Sequence, residues 1–282
     1  LAQKGVSVRV IVVDNGSDDG SLVVLRGYGE RIELAVSETK GANAARNLAL
    51  SMAETEWVQF LDADDYLMQW KLSSQLAAAV AAPEAGAVYS PVWIENADTG
   101  TREQSPVETR LDVFGQWIAW QLPQTGGVLW RRSALERLGG WNESMPCCQE
   151  HELYLRALKA GIPFHYAPEP GAVYRIWSEE TLCRRDPAKT IATKTALIED
   201  LRGWMTGRGL WKAAHRKLAA QAFFEMSRTL AKTDMGAAIA YHDGKAALGL
   251  MAPTGPAAPL RYRLFYRLSG FERAERLAGK MR

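Results

Sequence analysis

The chain has 282 residues and a formal net charge of +2, a balance that argues against a dedicated nucleic-acid binder. Its 47% hydrophobic and 23% charged residues are ordinary for a globular protein, and no apolar run approaches the roughly 20 residues of a membrane span. Three cysteines, two of them adjacent (Cys147-Cys148), give neither a disulfide framework nor zinc-ligand spacing, which points to a reducing, cytoplasmic compartment.

Leu1 to Gly5 reads as the tail of a helix, without Met and without a signal-peptide pattern, so the natural N-terminus is expected upstream. Val8 to Val13 is an apolar run broken only by Arg9, as in a parallel strand covered on both faces. It ends in the turn-rich Asp14 to Ser21, which can start a helix. Ile32 to Val36 predicts a short strand, and Lys40-Gly41-Ala42-Asn43 leads into a helix over Ala44 to Ala53. Trp57 to Leu61 predicts a buried strand, followed by a helix from Gln69 to Ala81 and a strand over Val88 to Ile94. Strands alternating with helices through the first hundred residues indicate an α/β fold with a mainly parallel sheet flanked by helices.

The polar stretch Asn96 to Pro106 predicts a surface loop, and Phe114 to Trp120 an aromatic helix. Gly126 to Trp130 predicts a strand. Ser133 to Glu136 has capping-box spacing for a short helix that Gly139-Gly140 ends. Gln149 to Ala160 predicts a helix stopped by Gly161 and Pro163, with short strands at Phe164 to Ala167 and Ala172 to Ile176. Helical patterns then dominate (Lys194 to Met205, Trp211 to Lys232, Met235 to Leu248). Two domains are expected, 1–185 and a helical extension over 186–282.

At the end of the Trp57 strand, Asp62, Asp64 and Asp65 put three carboxylates within four positions. Carboxylates so close repel one another, and each is costly to desolvate, so a buried structural role is unfavourable. A divalent cation would relieve that repulsion, because hard cations take oxygen ligands. The carboxyl end of a strand in an open α/β sheet is also where ligands bind. A solvated acidic turn ahead of the next helix accounts for the same residues.

Four segments in this order resemble family 2 glycosyltransferases. Val12 to Ser21 is similar to the family's VVDDGSxDGS, Lys40 to Asn47 to its NxGxxxARN, and Phe60 to Asp65 to its DxD motif. Gly139-Gly140-Trp141-Asn142-Glu143, followed by Gln149 to Arg156, resembles its GGFDE and ED-x-x-LWLR stretch. The resemblance covers residues 6 to 180. It implies a GT-A fold, a nucleotide-diphosphate sugar donor, a glycan or lipid-linked acceptor, and transfer with inversion in polysaccharide or cell-surface glycan synthesis. It further implies that Asp14 reads the nucleobase with Asn15 beside it, that Arg46 approaches base or phosphate, and that Asp62 engages the ribose. Asp64 and Asp65 would hold Mn²⁺ or Mg²⁺, and Arg175 would serve the diphosphate although Trp177 replaces the usual His. Aligning Leu153-Tyr154-Leu155-Arg156 with LWLR makes Glu150 the general base. Glu152 competes, and two positions apart on a helix only one of them faces the cleft. The family's opening strand, of SVIIPxYN type, is absent, so Val8 to Val13 is expected to lack a neighbour and the base pocket a wall, and the chain to fold poorly or bind nucleotide weakly.

Arg261, Arg263, Arg267, Arg273, Arg276, Lys280 and Arg282, interleaved with apolar residues, allow a basic amphipathic helix lying peripherally on the inner face of a membrane, or a solvated helix packed on the domain. No nucleic-acid motif accompanies the charge. A metal-dependent phosphohydrolase with Asp62 as nucleophile, and a non-catalytic sugar-nucleotide-binding module, are the alternatives.

Overall fold

The computed structural model describes residues 2–177 and 186–280. Leu1, Arg282 and the segment just before the expected boundary at 185/186 lie outside the described residues. Two compact units form: Leu1–Glu108 with Gln121–Glu179, and Thr109–Trp120 with Glu180–Arg282.

The first unit alternates strands and short helices, in the order β1 (Ile11–Asp14), α1 (Ser21–Arg26), β2 (Glu33–Val36), α2 (Ala42–Met52), β3 (Trp57–Gln59), β4 (Tyr66–Leu67), α3 (Lys71–Ala81), β5 (Ala87–Tyr89), β6 (Val92–Asn96) and β7 (Arg102–Gln104). After residue 120 come β8 (Val128–Arg131), α5 (Arg132–Leu138), α6 (Gln149–Lys159), β9 (Phe164–Tyr166) and β10 (Ala172–Ile176). The architecture is α/β, as expected, but the sheets are mixed rather than mainly parallel. The pairs β1–β2, β5–β9 and β6–β10 run parallel, while β3–β8, β5–β8, β4–β10 and β6–β7 run antiparallel. Among the described residues β1 pairs with β2 alone.

The expected single strand over Val88 to Ile94 is two strands in different sheets. Pro91 has no N–H to continue a ladder, and the Ser90 N–H turns to the Gly127 carbonyl at 3.1 Å. The polar stretch after Asn96 is a β6–β7 hairpin rather than a loop, and Asn96 Oδ1 accepts from the Asp98 and Thr99 amides, both at 3.0 Å. Ser133 falls inside α5 rather than capping it, while Gly139 ends that helix in a left-handed conformation (φ 73°) as expected. Residues 2–5 are not helical. Gln3 instead clips the start of α3, donating to the Met68 carbonyl at 2.8 Å and accepting from the Leu72 amide at 3.1 Å. Leu72, Ala79, Ala85, Val88, Leu129 and Ala167 form the buried core between α3 and the β5-centred sheet.

The second unit is helical: α4 (Val113–Ile118), α7 (Pro187–Thr206), α8 (Ala213–Leu230), α9 (Met235–Ala247) and α10 (Leu260–Lys280), the last broken at Gly270 (φ 76°, ψ 177°). Aspartates cap three of these. Asp112, Asp186 and Asp234 accept from the amides three residues on, at 2.7, 2.9 and 2.9 Å. Helix α4 joins this unit because Asp112 also bonds His215 Nε2 at 3.0 Å and Phe114 packs on Trp204. Among the described residues no helix is long and apolar enough to cross a membrane.

Candidate active site

β1 delivers Asp14 to a tight turn, where Oδ2 accepts from the Gly16 and Ser17 amides at 3.1 and 3.3 Å. The carboxyl is buried, and the Ser17 hydroxyl with the two amides holds it below the usual carboxylate range, against the opposing effect of burial. It therefore stays ionised. Asn15 does a different job. Its Nδ2 donates to the Thr39 carbonyl at 2.7 Å and its Oδ1 accepts from the Gly41 amide at 2.6 Å, so both ends of the side chain tie this turn to the loop before α2. A cleft of about 390 Å³ between β2 and α2, lined by Val36, Ser37, Thr39, Asn47 and Glu143 among others, includes none of the expected site residues.

Arg46 is the hub. From the second turn of α2 its guanidinium donates to Asp62 Oδ1 at 2.6 Å, Gln149 Oε1 at 2.8 Å and Asn43 Oδ1 at 2.9 Å, and it stacks on Trp141 with 4.5 Å to the ring centroid. One planar cation thereby joins α2, the end of β3 and the start of α6. Asn43 and Asn47 fasten the same helix to the Gly140 loop. Asn43 Nδ2 donates to the Asn142 carbonyl at 2.7 Å, and Asn47 exchanges bonds with the Trp141 backbone at 2.8 and 2.9 Å. A Cβ on Gly140 would lie 2.5 Å from Asn47 Oδ1, and φ there is 73°, so glycine is required on both counts.

The three acidic residues after β3 differ in surroundings. Asp62 faces Arg46, and Asp64 is exposed. Asp65 accepts from the Arg175 amide at 2.8 Å, and its carboxyl is pushed up to about 7, by burial first and then by the charges of Asp64 and Asp62. The Arg175 Nε donates to the Asp64 carbonyl, and its guanidinium stacks between Tyr66 and Trp177. Among the described residues no three His, Cys, Asp or Glu side chains converge on a common metal position. The donor set nonetheless fits a hard cation. An exposed carboxylate lies beside one whose ionisation its neighbours oppose, and Mg²⁺-type ions are commonly held by one or two carboxylates plus substrate phosphates.

Glu150 and Glu152, both in the first turn of α6, have separate surroundings. Glu150 is half-buried and its Oε1 accepts from Thr125 Oγ1 at 2.8 Å. Glu152 is buried and doubly bonded to Arg156 at 2.7 and 2.9 Å, while Arg156 also donates to the Leu138 and Gly140 carbonyls at 2.7 and 2.9 Å. Glu152 thus braces the α5–α6 connection. Sequence reasoning missed Thr125, Asn43, Asn47 and the Arg46–Gln149 bond. The Gly126-Gly127 pair was the available signal for Thr125: a Cβ on Gly127 would lie 2.4 Å from Pro123, so the segment carrying Thr125 is held close to its neighbours.

Residues 1–139 match the model of glycosyl transferase family 2. An uncharacterised glycosyltransferase of Nostoc sp. is 27% identical over 148 residues, 49% of this chain and 46% of that protein. The chain spans half or less of the length of the curated relatives it matches. Among solved structures, Staphylococcus aureus TarS 1–349 in complex with UDP-GlcNAc superposes with a TM-score of 0.67 at 18% identity, covering 100% of this chain and 86% of that one. The mannosyltransferase PcManGT of Pyrobaculum calidifontis, in complex with GDP-Man and Mn²⁺, gives 0.50 at 19% identity, covering 98% and 79%. At these identities the likeness is one of fold, and that fold is the GT-A fold.

Proposed function

We propose that this chain, whose residues 1–139 belong to glycosyl transferase family 2, moves a sugar from a nucleotide-diphosphate sugar to an acceptor hydroxyl with inversion, in the building of a glycan or polysaccharide. The reading rests on Arg46, whose guanidinium bonds Asp62 and Gln149 at once and so holds the acidic loop and the start of α6 to a common centre.

Glu150 is the general base. Its Oε2 has no partner among the described residues, and the N-terminal turn of α6 favours a carboxylate there. It takes the proton of the acceptor hydroxyl as that oxygen attacks the anomeric carbon. The bond from this carbon to the diphosphate oxygen breaks, and the electron pair leaves with the nucleoside diphosphate. A single displacement, with one base and no protein nucleophile, inverts the centre. Asp14, ionised at the end of β1, accepts from a nucleobase N–H. Asp62, steadied by Arg46, takes the ribose hydroxyls, and Arg175 faces the diphosphate. Asp64 and Asp65 would hold a divalent cation, Mn²⁺ or Mg²⁺, which supplies charge neutralisation to the leaving diphosphate. The donors bound by TarS and PcManGT, UDP-GlcNAc and GDP-Man, define the donor class to test, and the acceptor is a glycan or a lipid-linked glycan. The phosphohydrolase alternative leaves the Asp14 turn and the Gly139 to Arg156 stretch without a role.

The experiment is a panel of UDP-, GDP- and dTDP-sugars tested by calorimetry with Mn²⁺, followed by detection of the released nucleoside diphosphate. Binding of at least one donor is expected, with Glu150→Gln binding it equally and losing turnover. Binding of none, or rapid hydrolysis of a model phosphoester, overturns the reading.

A further inference from the structure

Helix α10 presents its residues the wrong way round for a helix facing water. Before the Gly270 break, Tyr262 and Tyr266 turn inward, packing on Phe224 with ring centroids 5.9 and 5.7 Å away, and Tyr266 Oη pairs with His242 Nε2 at 2.8 Å. Just after the break Phe271 joins them, at 6.4 Å from Phe224 and stacked on His242 at 4.4 Å. These contacts fix the rotation of the helix. The outward side carries Leu260, Leu264 and Leu268, which are 78%, 64% and 79% exposed, with the exposed Phe265 beside them. Steps of four residues keep the three leucines within an arc of about 80° and a length of about 12 Å. Arg261 lies on one flank of that arc, between Leu268 and Phe265, and Arg267 on the other; both are exposed. From Pro259 to Phe271 the chain has three arginines and no carboxylate.

We propose that this face of α10 docks on an anionic phospholipid surface, the leucines entering the acyl boundary and Arg261 and Arg267 meeting lipid phosphates. A narrow apolar stripe edged by cations, with no acid to be repelled, is the pattern of a helix lying in the membrane interface. Charge decides against a second copy of the same helix. A self-association seam alternates steps of four and three and so runs Leu260, Leu264, Arg267, Phe271. That seam meets a cation at its third position and a side chain already buried on Phe224 at its fourth. The proposal stands independently of the sugar-transfer reading.

The full chain is sedimented with vesicles of phosphatidylcholine alone and with vesicles in which phosphatidylglycerol is mixed, at low and high salt. Binding is expected to the mixed vesicles only and to weaken as salt rises. Leu260→Ser, Leu264→Ser and Leu268→Ser together should lower the partition coefficient by at least about tenfold, with an unchanged melting temperature because the side chains are exposed. Arg261→Gln and Arg267→Gln should each lower it by about fivefold. Absence of binding to the mixed vesicles, or undiminished binding by both the serine and the glutamine variants, overturns the proposal. So does a wild type that ignores vesicles but is a dimer in the ultracentrifuge and becomes a monomer on the serine substitutions.

Discussion

Thr125 donates its hydroxyl to Glu150 Oε1 across 2.8 Å, joining the short turn before β8 to the first turn of α6. A hydroxyl in this position fixes the carboxylate's rotamer and leaves its other oxygen for an incoming proton. Thr125 is thus a positioning residue for the proposed base. Thr125→Val should lower kcat by about tenfold while leaving KM for the donor near its original value, since orientation of a reacting group rather than donor binding is lost. Thr125→Ser should restore most of the rate. Equal loss in the Val and Ser variants would mean that the threonine only packs.

The two glutamates of α6 should separate cleanly. Glu150→Gln is expected to reduce kcat by about 10²–10⁴-fold, the usual contribution of a general base, with nucleotide affinity retained. Glu152→Gln breaks a mostly buried pair with Arg156 and is expected to cost about 1–3 kcal/mol of stability, part-screened because Arg156 reaches solvent. Its kcat at a temperature where it is folded should match the parent. Steady-state kinetics alongside urea denaturation of both variants checks the division, and a dead Glu152→Gln with an active Glu150→Gln reverses it.

Asp65 gives a pH signature. Its carboxyl, pushed up to about 7, keeps a proton in the fold that the unfolded chain releases near pH ~3.9. Between those values the native state binds more protons than the unfolded one, so this group's contribution to stability falls as pH rises through that window. In EDTA, Asp65→Asn should flatten that decline, measured by urea denaturation at about pH 5 and about pH 8. A divalent cation with a nucleoside diphosphate should bind more tightly as pH rises through 7, because binding then displaces fewer protons. Affinity that is the same in Mn²⁺ and in EDTA removes the cation from the reading.

The strand ends were legible because apolar runs give way abruptly to acidic turns, at Val13-Asp14 and again after Phe60. Helix α6 was legible from its length and from the Gly161 stop. Pairing partners were not, since β10 lies between β4 and β6 through contacts of long sequence separation that no local period encodes. The same limit hid the site's wiring. Arg46 and Gln149 are 103 positions apart, and Thr125 and Glu150 are 25 apart. Helix α7 begins at Pro187, well ahead of the expected Lys194, because an Asp186 cap followed by proline at the first helical position is a start signal that apolar periodicity alone passes over.

Lys71 supplies the opposite sign of pH dependence. It opens α3 with its side chain 1% exposed, and Nζ has no hydrogen-bond partner among the described residues. Gly171 closes over it so tightly that a Cβ there would lie 2.6 Å from Lys71 Cγ. A buried ammonium without a partner is strongly disfavoured, and burial holds the amine well below the usual lysine range. The folded chain therefore carries fewer protons than the unfolded chain at every pH between that lowered value and about 10.4. This group's contribution to stability therefore rises with pH across that window, and at neutral pH the lysine is a net cost. Lys71→Met keeps the length and apolar stem while removing the amine. It is expected to raise stability at about pH 7 by about 1–3 kcal/mol and to remove this rising contribution toward about pH 10. Urea denaturation of parent and variant at the two pH values reads both effects. A variant less stable than the parent at neutral pH would mean that the amine is solvated or paired in solution, and that Lys71 holds α3 in place rather than straining it.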